Sequence, residues 1–397
     1  MIRSARLPCW LLITSAALCA CASQPRTAGR DLPAAARGDP QRMLVIGVSD
    51  APMVAPARAG STFRGYLDDS SYAVGDEARR TLRDVAQDYA LRKVAEWPIH
   101  LLQMQCAVYE MPAGSSRAEL LASLGRDARI RLAQPLQSFS TETRGGAGGE
   151  PGAAAPDGMD LQAAHQLAQG EGVRIAVIDT GVDAGHPDLA GRVEAEYDFV
   201  ETRRGASHQE RHGTAVAGVI AARTSNAHGV LGIAPRSRLL VLKACWQLEP
   251  GRDDARCNSY TLAQALAKAV ELRAQVINLS LTGPPDPLLS ALLERATRQG
   301  IIVVGPGGGE ETAGSFPGAE RSVLGVVSAE AGPAPERMLR APGSDVLTLA
   351  PGHATFLLPG TPSRPPRSAA SPRCCSRPAA CCAATRCRPC CATPASP

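Results

Sequence analysis

The distribution of apolar residues after residue 159 predicts alternating strands and helices. Short consecutive apolar runs are typical of strands buried on both faces of a parallel sheet, and apolar residues repeated every three or four positions are typical of helices. The predicted strands are Val173–Asp179, Arg238–Ala244, Gln275–Leu281, Ile301–Gly305, Ser322–Ala329 and Val346–Leu349, and the predicted helices lie near Gly213–Arg223, Tyr260–Arg273 and Pro287–Gln299. This alternation indicates an α/β fold with a doubly wound parallel sheet.

A smaller set of elements precedes this part, between residues 43 and 143. We expect a strand at Met43–Val48, an amphipathic helix at Glu77–Ala95, a strand at Leu101–Met111, a helix capped by Ser115 or Ser116 that ends near Leu124, and a last strand or extended tail at Arg129–Phe139. The pattern predicts a small α+β domain.

The first 21 residues have the pattern of an export signal. Arg3 and Arg6 precede an apolar run, Leu7–Leu18, which is too short for a membrane span and has the length of the apolar part of a signal peptide. The letters LCAC at positions 18–21 resemble a bacterial lipobox, with an unusual cysteine at position 19. We expect a lipid on Cys21 to anchor the exported chain in the bacterial envelope, with ordinary secretion as the alternative.

Two segments of low complexity separate these parts. Residues 22–42 are rich in Ala, Pro and Arg, which predicts a disordered tether. Residues 144–158 consist largely of Gly, Ala and Pro, which predicts a flexible linker open to proteolytic processing.

Charge and cysteine are unevenly distributed. The net charge is +4, but the segment after Thr361 carries six arginines and no acidic residue, so the rest of the chain has a net charge of −2. A nucleic-acid partner is therefore not indicated. Seven of the 13 cysteines fall between Cys374 and Cys391.

Two residues stand out as candidate catalytic groups. Asp179 ends a predicted strand, where open α/β sheets bind ligands, and it is followed by Thr-Gly. Alone, this motif is equally compatible with a turn after a core strand. Aspartic proteases also contain Asp-Thr-Gly, but they are β-rich and need two such carboxylates, whereas this chain has one. His212 follows Asp179 by 33 positions and opens a helix of small residues.

The residues around this Asp and His resemble the subtilisin-like serine proteases. The resemblance rests on the Asp-Thr-Gly motif, Gly185–Leu189 (GHPDL), Arg211–Ala222 (RHGTAVAGVIAA) and His228–Pro235 (HGVLGIAP). It covers residues 159–361 and implies a three-layer fold and a triad in the chain order Asp, His, Ser. His212 would shuttle the proton and Asp179 would orient its imidazole.

The resemblance also implies roles for other parts of the chain. Residues 43–143 would form a propeptide that covers the catalytic sheet and lays its tail in the substrate cleft, so the partners would be this propeptide in cis and protein or peptide substrates. An independent lipoprotein domain is the alternative. Ser280, Leu281, Thr282 and Gly283 would pair with substrate backbone by adding a strand, although the same residues also suit a plain core strand. No cofactor is implied, and structural calcium sites cannot be assigned to residues.

Cys245 and Cys257 flank a polar loop. In an exported chain they can form a disulfide worth about 3 kcal/mol by loop entropy, and two unpaired thiols are the alternative.

The chain departs from the family at two catalytic positions. Gly309 stands where the family has the Asn that donates to the oxyanion, and loss of such a donor costs about 3 kcal/mol of transition-state stabilisation, a figure measured on a subtilisin. Pro362 stands where the family has its serine. Ser363 lies one residue later, and Pro365 and Pro366 are incompatible with the helix that normally carries the nucleophile.

A shift of reading frame explains the second departure. One T placed before the codons of residues 362–376 allows Ser-Phe-Ala-Ala-Ala-Ala-Val-Ser-Gly-Val-Ala-Ala-Leu-Leu-Leu, the type of sequence expected after Gly-Thr in this family. We therefore interpret residues 362–397 as an out-of-frame, disordered tail and residues 159–361 as a truncated catalytic domain. A cysteine-rich metal-binding tail is the alternative, but the segment lacks His and regular Cys spacing.

The sequence thus predicts a serine endopeptidase that is inactive as written. A non-catalytic pseudoprotease or peptide-binding lipoprotein, and a non-functional gene product, remain alternatives.

Overall fold

The computed structural model describes residues 35, 38–50, 70–141, 160–200, 210–223, 230–248, 254–307, 314–328, 338–341 and 346–358. Within these residues, no helix is both long and apolar enough to cross a membrane.

An antiparallel sheet with two helices forms the amino-terminal unit. Its elements are β1 (Met43–Ser49), α1 (Ser70–Asp88), β2 (Arg92–Ile99), β3 (Met104–Glu110), α2 (Arg117–Leu124) and β4 (Ile130–Pro135), and the strand order is β2-β3-β1-β4. Ser116 caps α2, because its Oγ accepts a hydrogen bond from the Glu119 amide at 3.4 Å. The predicted tail becomes β4 followed by a separate strand, β5 (Ser138–Thr141).

Two predictions for this unit need correction. The helix predicted at Glu77–Ala95 ends at Asp88, because Ala90 adopts a left-handed backbone with φ of 53° and the chain then turns into β2. The tether predicted at 22–42 is also ordered at its end, where Pro40–Arg42 forms a turn of 3₁₀ helix. This differs from the disorder predicted there.

A seven-stranded parallel sheet forms the larger part of the described chain. The elements of this larger part are α3 (Leu161–Leu167), β6 (Arg174–Asp179), β7 (Val193–Asp198), α4 (Arg211–Ala221), β8 (Arg238–Lys243), β9 (Cys245–Gln247), β10 (Ala255–Asn258), α5 (Ser259–Glu271), β11 (Val276–Leu279), α6 (Pro287–Arg298), β12 (Ile302–Pro306), β13 (Val323–Ser328) and β14 (Leu339–Ala341). The short strands β9 and β10 lie outside the seven-stranded sheet and form a separate sheet with β5. The strand order is β14-β13-β12-β11-β6-β8-β7, and every pairing is parallel.

Helices cover both faces of this sheet. On β6, Ile175 and Val177 belong to the same buried cluster as the apolar face of α4, whereas Ala176 and Ile178 belong to the cluster that contains α5 and α6. Successive strand residues point to opposite faces, so a strand with helices on both sides must be apolar at consecutive positions. The predicted three-layer, doubly wound α/β architecture is confirmed.

One predicted strand lies outside the large sheet. Residues 346–350 form β15 (Val346–Ala350), which pairs antiparallel with β16 (Ala354–Leu358) in a two-stranded sheet. Leu349 on β15 is buried in the same cluster as α4.

The amino-terminal unit packs on the helices of the larger part. One face of its sheet is covered by α1 and α2, and the other face contributes Val45, Trp97, Ile99 and Val108 to the cluster that contains α5 and α6. The Trp97 ring meets the Tyr260 ring edge-on, with centroids 4.7 Å apart.

Candidate active site

Asp179 and His212 meet at the carboxyl end of the parallel sheet. The Asp179 Oδ1 atom lies 2.7 Å from His212 Nδ1, and the two residues are only 1% and 5% exposed. The Thr180 amide donates to the same carboxylate oxygen at 2.7 Å. This arrangement fixes the imidazole orientation and leaves Nε2 as the ring nitrogen that can exchange a proton with a nucleophile.

Close contact between β6 and α4 makes this meeting possible. A Cβ atom on Gly213 would lie 2.0 Å from the Gly181 carbonyl oxygen, so only glycine allows the first turn of α4 to come this near. The Gly213 amide also donates to Thr180 Oγ1 at 3.1 Å. The short residues of the two motifs therefore place the carboxylate and the imidazole within hydrogen-bonding distance.

The loop after β6 is fixed by a second group of polar contacts. Asp183 accepts hydrogen bonds from the amides of Gly185 and Gly352, both at 3.1 Å, and its own amide donates to Thr214 Oγ1 at 2.9 Å. His186 is fully buried, and this burial lowers the pKa of its imidazole. Asp183 therefore ties the loop after β6 to α4 and to the turn between β15 and β16.

The residues predicted to bind substrate backbone lie next to β5 of the amino-terminal unit. Thr282 and Ser140 exchange two backbone hydrogen bonds of 3.0 Å, in an antiparallel bridge. On its other edge, β5 pairs antiparallel with β10. The chain's own segment thus lies as an added strand between two edges of the larger part.

Phe139 occupies the space beside Gly283. A Cβ atom on Gly283 would lie 2.3 Å from the Phe139 ring. The Phe316 ring packs edge-on against the Phe139 ring, with centroids 5.4 Å apart. Phe139 is 2% exposed. The sequence predicts Phe139 only as the end of a strand or extended tail. Its burial could not be predicted, because it depends on contacts with residues distant in sequence.

A disulfide joins Cys245 on β9 to Cys257 on β10. Cys257 is the register partner of Phe139 across the β10–β5 pair. The bond therefore connects the two ends of the polar loop between β9 and β10, and one of its cysteines lies on the strand that pairs with β5.

Other candidate positions lie outside the described residues. These are Cys21, Gly309, Pro362 and Ser363.

Comparison with known protein families gives a match over more than half of the chain. The model of the subtilase family matches residues 170–394, a range that extends into the segment after Thr361. The intracellular serine protease of Paenibacillus polymyxa is 33% identical over 225 residues, which cover 51% of this chain and 67% of that protein. Thermitase of Thermoactinomyces vulgaris is 31% identical over 178 residues, covering 44% of this chain and 61% of that protein.

A solved structure agrees with the fold. Fervidolysin from Fervidobacterium pennivorans, a keratinolytic enzyme related to subtilisin, superposes with a TM-score of 0.60 at 18% identity, covering 83% of this chain and 53% of that one. The family match and the relatives answer the question raised by the Asp and His motifs: the chain belongs to the subtilase family of serine peptidases.

Proposed function

We propose that the intact gene product is a serine endopeptidase with an Asp-His-Ser triad that uses Asp179 and His212. The observation that carries this proposal is the buried 2.7 Å contact between Asp179 Oδ1 and His212 Nδ1. In the proposed reaction, His212 takes a proton from the serine as its oxygen attacks the scissile carbonyl, and then donates that proton to the leaving amine. Asp179 holds the imidazole and stabilises its charged form.

The chain as written lacks the nucleophile of this scheme. Pro362 has no hydroxyl group, and the shifted reading frame would restore Ser at that position followed by an apolar, Ala-rich segment. We propose that a single nucleotide is missing in or just after the Thr361 codon. Resequencing the DNA over codons 360–364 tests this directly, and an unchanged sequence in independent clones would remove a sequencing error as the cause.

We further propose that residues 43–143 act as an inhibitory propeptide. The support is the position of β5, whose Ser140 satisfies both backbone hydrogen-bonding groups of Thr282. A substrate that added a strand at Ser280–Gly283 would need the same groups, so it would have to displace β5. Processing within residues 144–158 would separate the two parts.

The position of β5 beside Thr282 also affects the alternative in which the chain is a non-catalytic, peptide-binding pseudoprotease. A pseudoprotease that bound other peptides at Ser280–Gly283 would have to release β5 first. The buried Phe139 ring opposes that release. The chain as written is therefore better described as a closed, self-occupied form.

Membrane attachment through Cys21 remains a separate proposal. If Cys21 carries a lipid, the Cys21→Ala variant should move from the membrane fraction to the soluble fraction when the producing bacteria are fractionated. Unchanged partitioning would favour ordinary secretion.

Three versions of the full chain test the proposed activity. We expect the frame-restored chain to hydrolyse a protein substrate and to be cut within residues 144–158, as followed by mass spectrometry. The chain as written and the frame-restored His212→Ala variant should do neither. Hydrolysis by the chain as written that depends on His212 would contradict the proposal.

A further inference from the structure

A buried ion pair lies beside the candidate catalytic pair. The Lys243 Nζ atom donates to Glu210 Oε1 at 2.8 Å. Lys243 is 1% exposed, and the side chain of Glu210 is 10% exposed. The reaction proposed above uses neither residue.

The pair connects the two elements next to Asp179 and His212. Lys243 ends β8, where it is the register partner of Asp179 on β6, and the following amide, of Ala244, donates to the Asp179 carbonyl oxygen at 2.8 Å. Glu210 precedes α4 and lies two residues before His212. The ion pair thus joins the strand beside Asp179 to the turn that presents His212.

The side chain of Glu210 is not used as a helix cap. It occupies the N-cap position of α4, where a side-chain oxygen commonly accepts from the first helix amides, but it makes no such bond. Its backbone oxygen accepts from Thr214 Oγ1 at 2.6 Å, which already stabilises the first turn. The carboxylate is directed at Lys243 instead.

Stability alone does not explain such a pair. Burying two charges is costly, and apolar residues of similar volume are often as stable or more stable, whereas the best-attested use of a buried ionic group is to fix the register of neighbouring elements. Misplacement of a catalytic group by 1 Å can reduce the rate about 100-fold.

We propose that Lys243 and Glu210 are positioning residues that hold the start of α4 against β8, so that His212 Nδ1 stays at bonding distance from Asp179. Other bonds restrain the same turn from the side of β6, including Gly213 to Thr180 and Asp183 to Thr214. The ion pair adds a restraint from the neighbouring strand. The inference rests on the proposed function because it assigns a catalytic purpose to the Asp179–His212 contact.

NMR on the full chain as written tests the inference without any need for activity. The measured quantity is the rate at which the His212 Nδ1 proton exchanges with water. The double variant Glu210→Leu/Lys243→Met removes both charges and keeps an apolar volume; we expect it to raise this rate at least tenfold while the urea midpoint stays unchanged or rises. The matched control removes the pair Lys268–Glu271, 2.6 Å apart, whose side chains are 25% and 67% exposed, by Lys268→Met/Glu271→Leu, and should leave the rate unchanged.

A second variant covers the case in which the double variant does not fold. Glu210→Asp keeps the charge but withdraws the carboxylate by one methylene, and we expect the exchange rate to rise in the same direction. An unchanged rate in whichever of these variants folds would overturn the inference. So would an equal rise at His212 and at buried β6 amides, because that would indicate general destabilisation.

Kinetics on the frame-restored chain separate this inference from the proposed function. There, the double variant should lower kcat at least tenfold with KM unchanged, and an unchanged kcat would count against positioning. If the frame-restored chain without substitutions shows no hydrolysis, the proposed function fails, and the exchange measurement still decides the role of the ion pair.

Discussion

Replacing Phe139 by alanine tests whether its buried ring holds β5 against Thr282 and β10. The ring is 2% exposed and packs between Gly283 and Phe316. Truncation of a buried phenylalanine costs about 3 to 5 kcal/mol. Because each 1.4 kcal/mol is about a tenfold change in an equilibrium constant, the equilibrium constant for opening of β5 should rise by about 140- to 3,700-fold.

Hydrogen exchange of single amides measures this opening. The Ser140 and Thr282 amides, which donate to each other's carbonyl oxygens, should exchange faster by the factor above, while amides of β6 should be affected much less. Ser138→Ala is the matched control on the same strand, and it should change stability by no more than about 0.5 kcal/mol. Exchange at Ser140 that is less than threefold faster in Phe139→Ala would refute the reasoning, because β5 would then be held by other contacts.

Two further predictions concern a glycine beside the candidate site and a buried carboxyl at the start of α6. Gly213→Ala places a methyl group against the Gly181 carbonyl oxygen. We therefore expect the free energy of unfolding in urea to fall by about 1 to 3 kcal/mol and the Asp179–His212 contact, followed by NMR, to weaken. Gly75→Ala is the control and should not lower the free energy of unfolding, because the nearest atom to the new methyl group is an Arg79 side-chain atom at 3.8 Å. Burial raises the pKa of the Asp286 carboxyl, which accepts hydrogen bonds from Ser259 Oγ and the Leu289 amide. The folded state therefore binds this proton more tightly, and its contribution to the free energy of unfolding falls as pH rises from about 4 through the raised pKa. Asp286→Asn, an equally good helix cap, should remove that slope in urea unfolding between pH 4 and 7, and an identical slope in both proteins would contradict the assignment.

The buried part of the fold could be predicted from the sequence because burial on both sides leaves a clear signal. The strand predicted at Val173–Asp179 is observed as β6, and the helices predicted near Gly213, Tyr260 and Pro287 are observed as α4, α5 and α6. These elements have apolar residues wherever a neighbour covers them.

The secondary-structure predictions are wrong where the pattern of apolar and polar residues does not match the burial of those residues in the fold. The helix predicted at Glu77–Ala95 extends into the first residues of the edge strand β2, because the sequence pattern does not reveal the left-handed backbone at Ala90 that turns the chain. On the observed strand, Lys93 and Glu96 form an ion pair of 2.7 Å. The strand β7 was missed because most of its residues are exposed and its pattern is mainly polar.

The candidate site was only partly accessible to sequence reasoning. Asp179 and His212 could be predicted because each lies in a short sequence motif that resembles a catalytic motif of the subtilases. Lys243 and Glu210 could not, because a charged residue inside a strand or before a helix normally faces water, and only the three-dimensional arrangement shows that these two are buried together.

The central claim is that Asp179 and His212 serve a serine that the shifted frame would restore. Covalent labelling by a fluorophosphonate probe, which reacts with activated serines, tests it most directly. The site of labelling is then located by mass spectrometry. We predict labelling of the frame-restored chain at the serine that replaces Pro362, none in its His212→Ala variant and none in the chain as written. Labelling of the chain as written, or labelling of the frame-restored chain that persists without His212, would contradict the account.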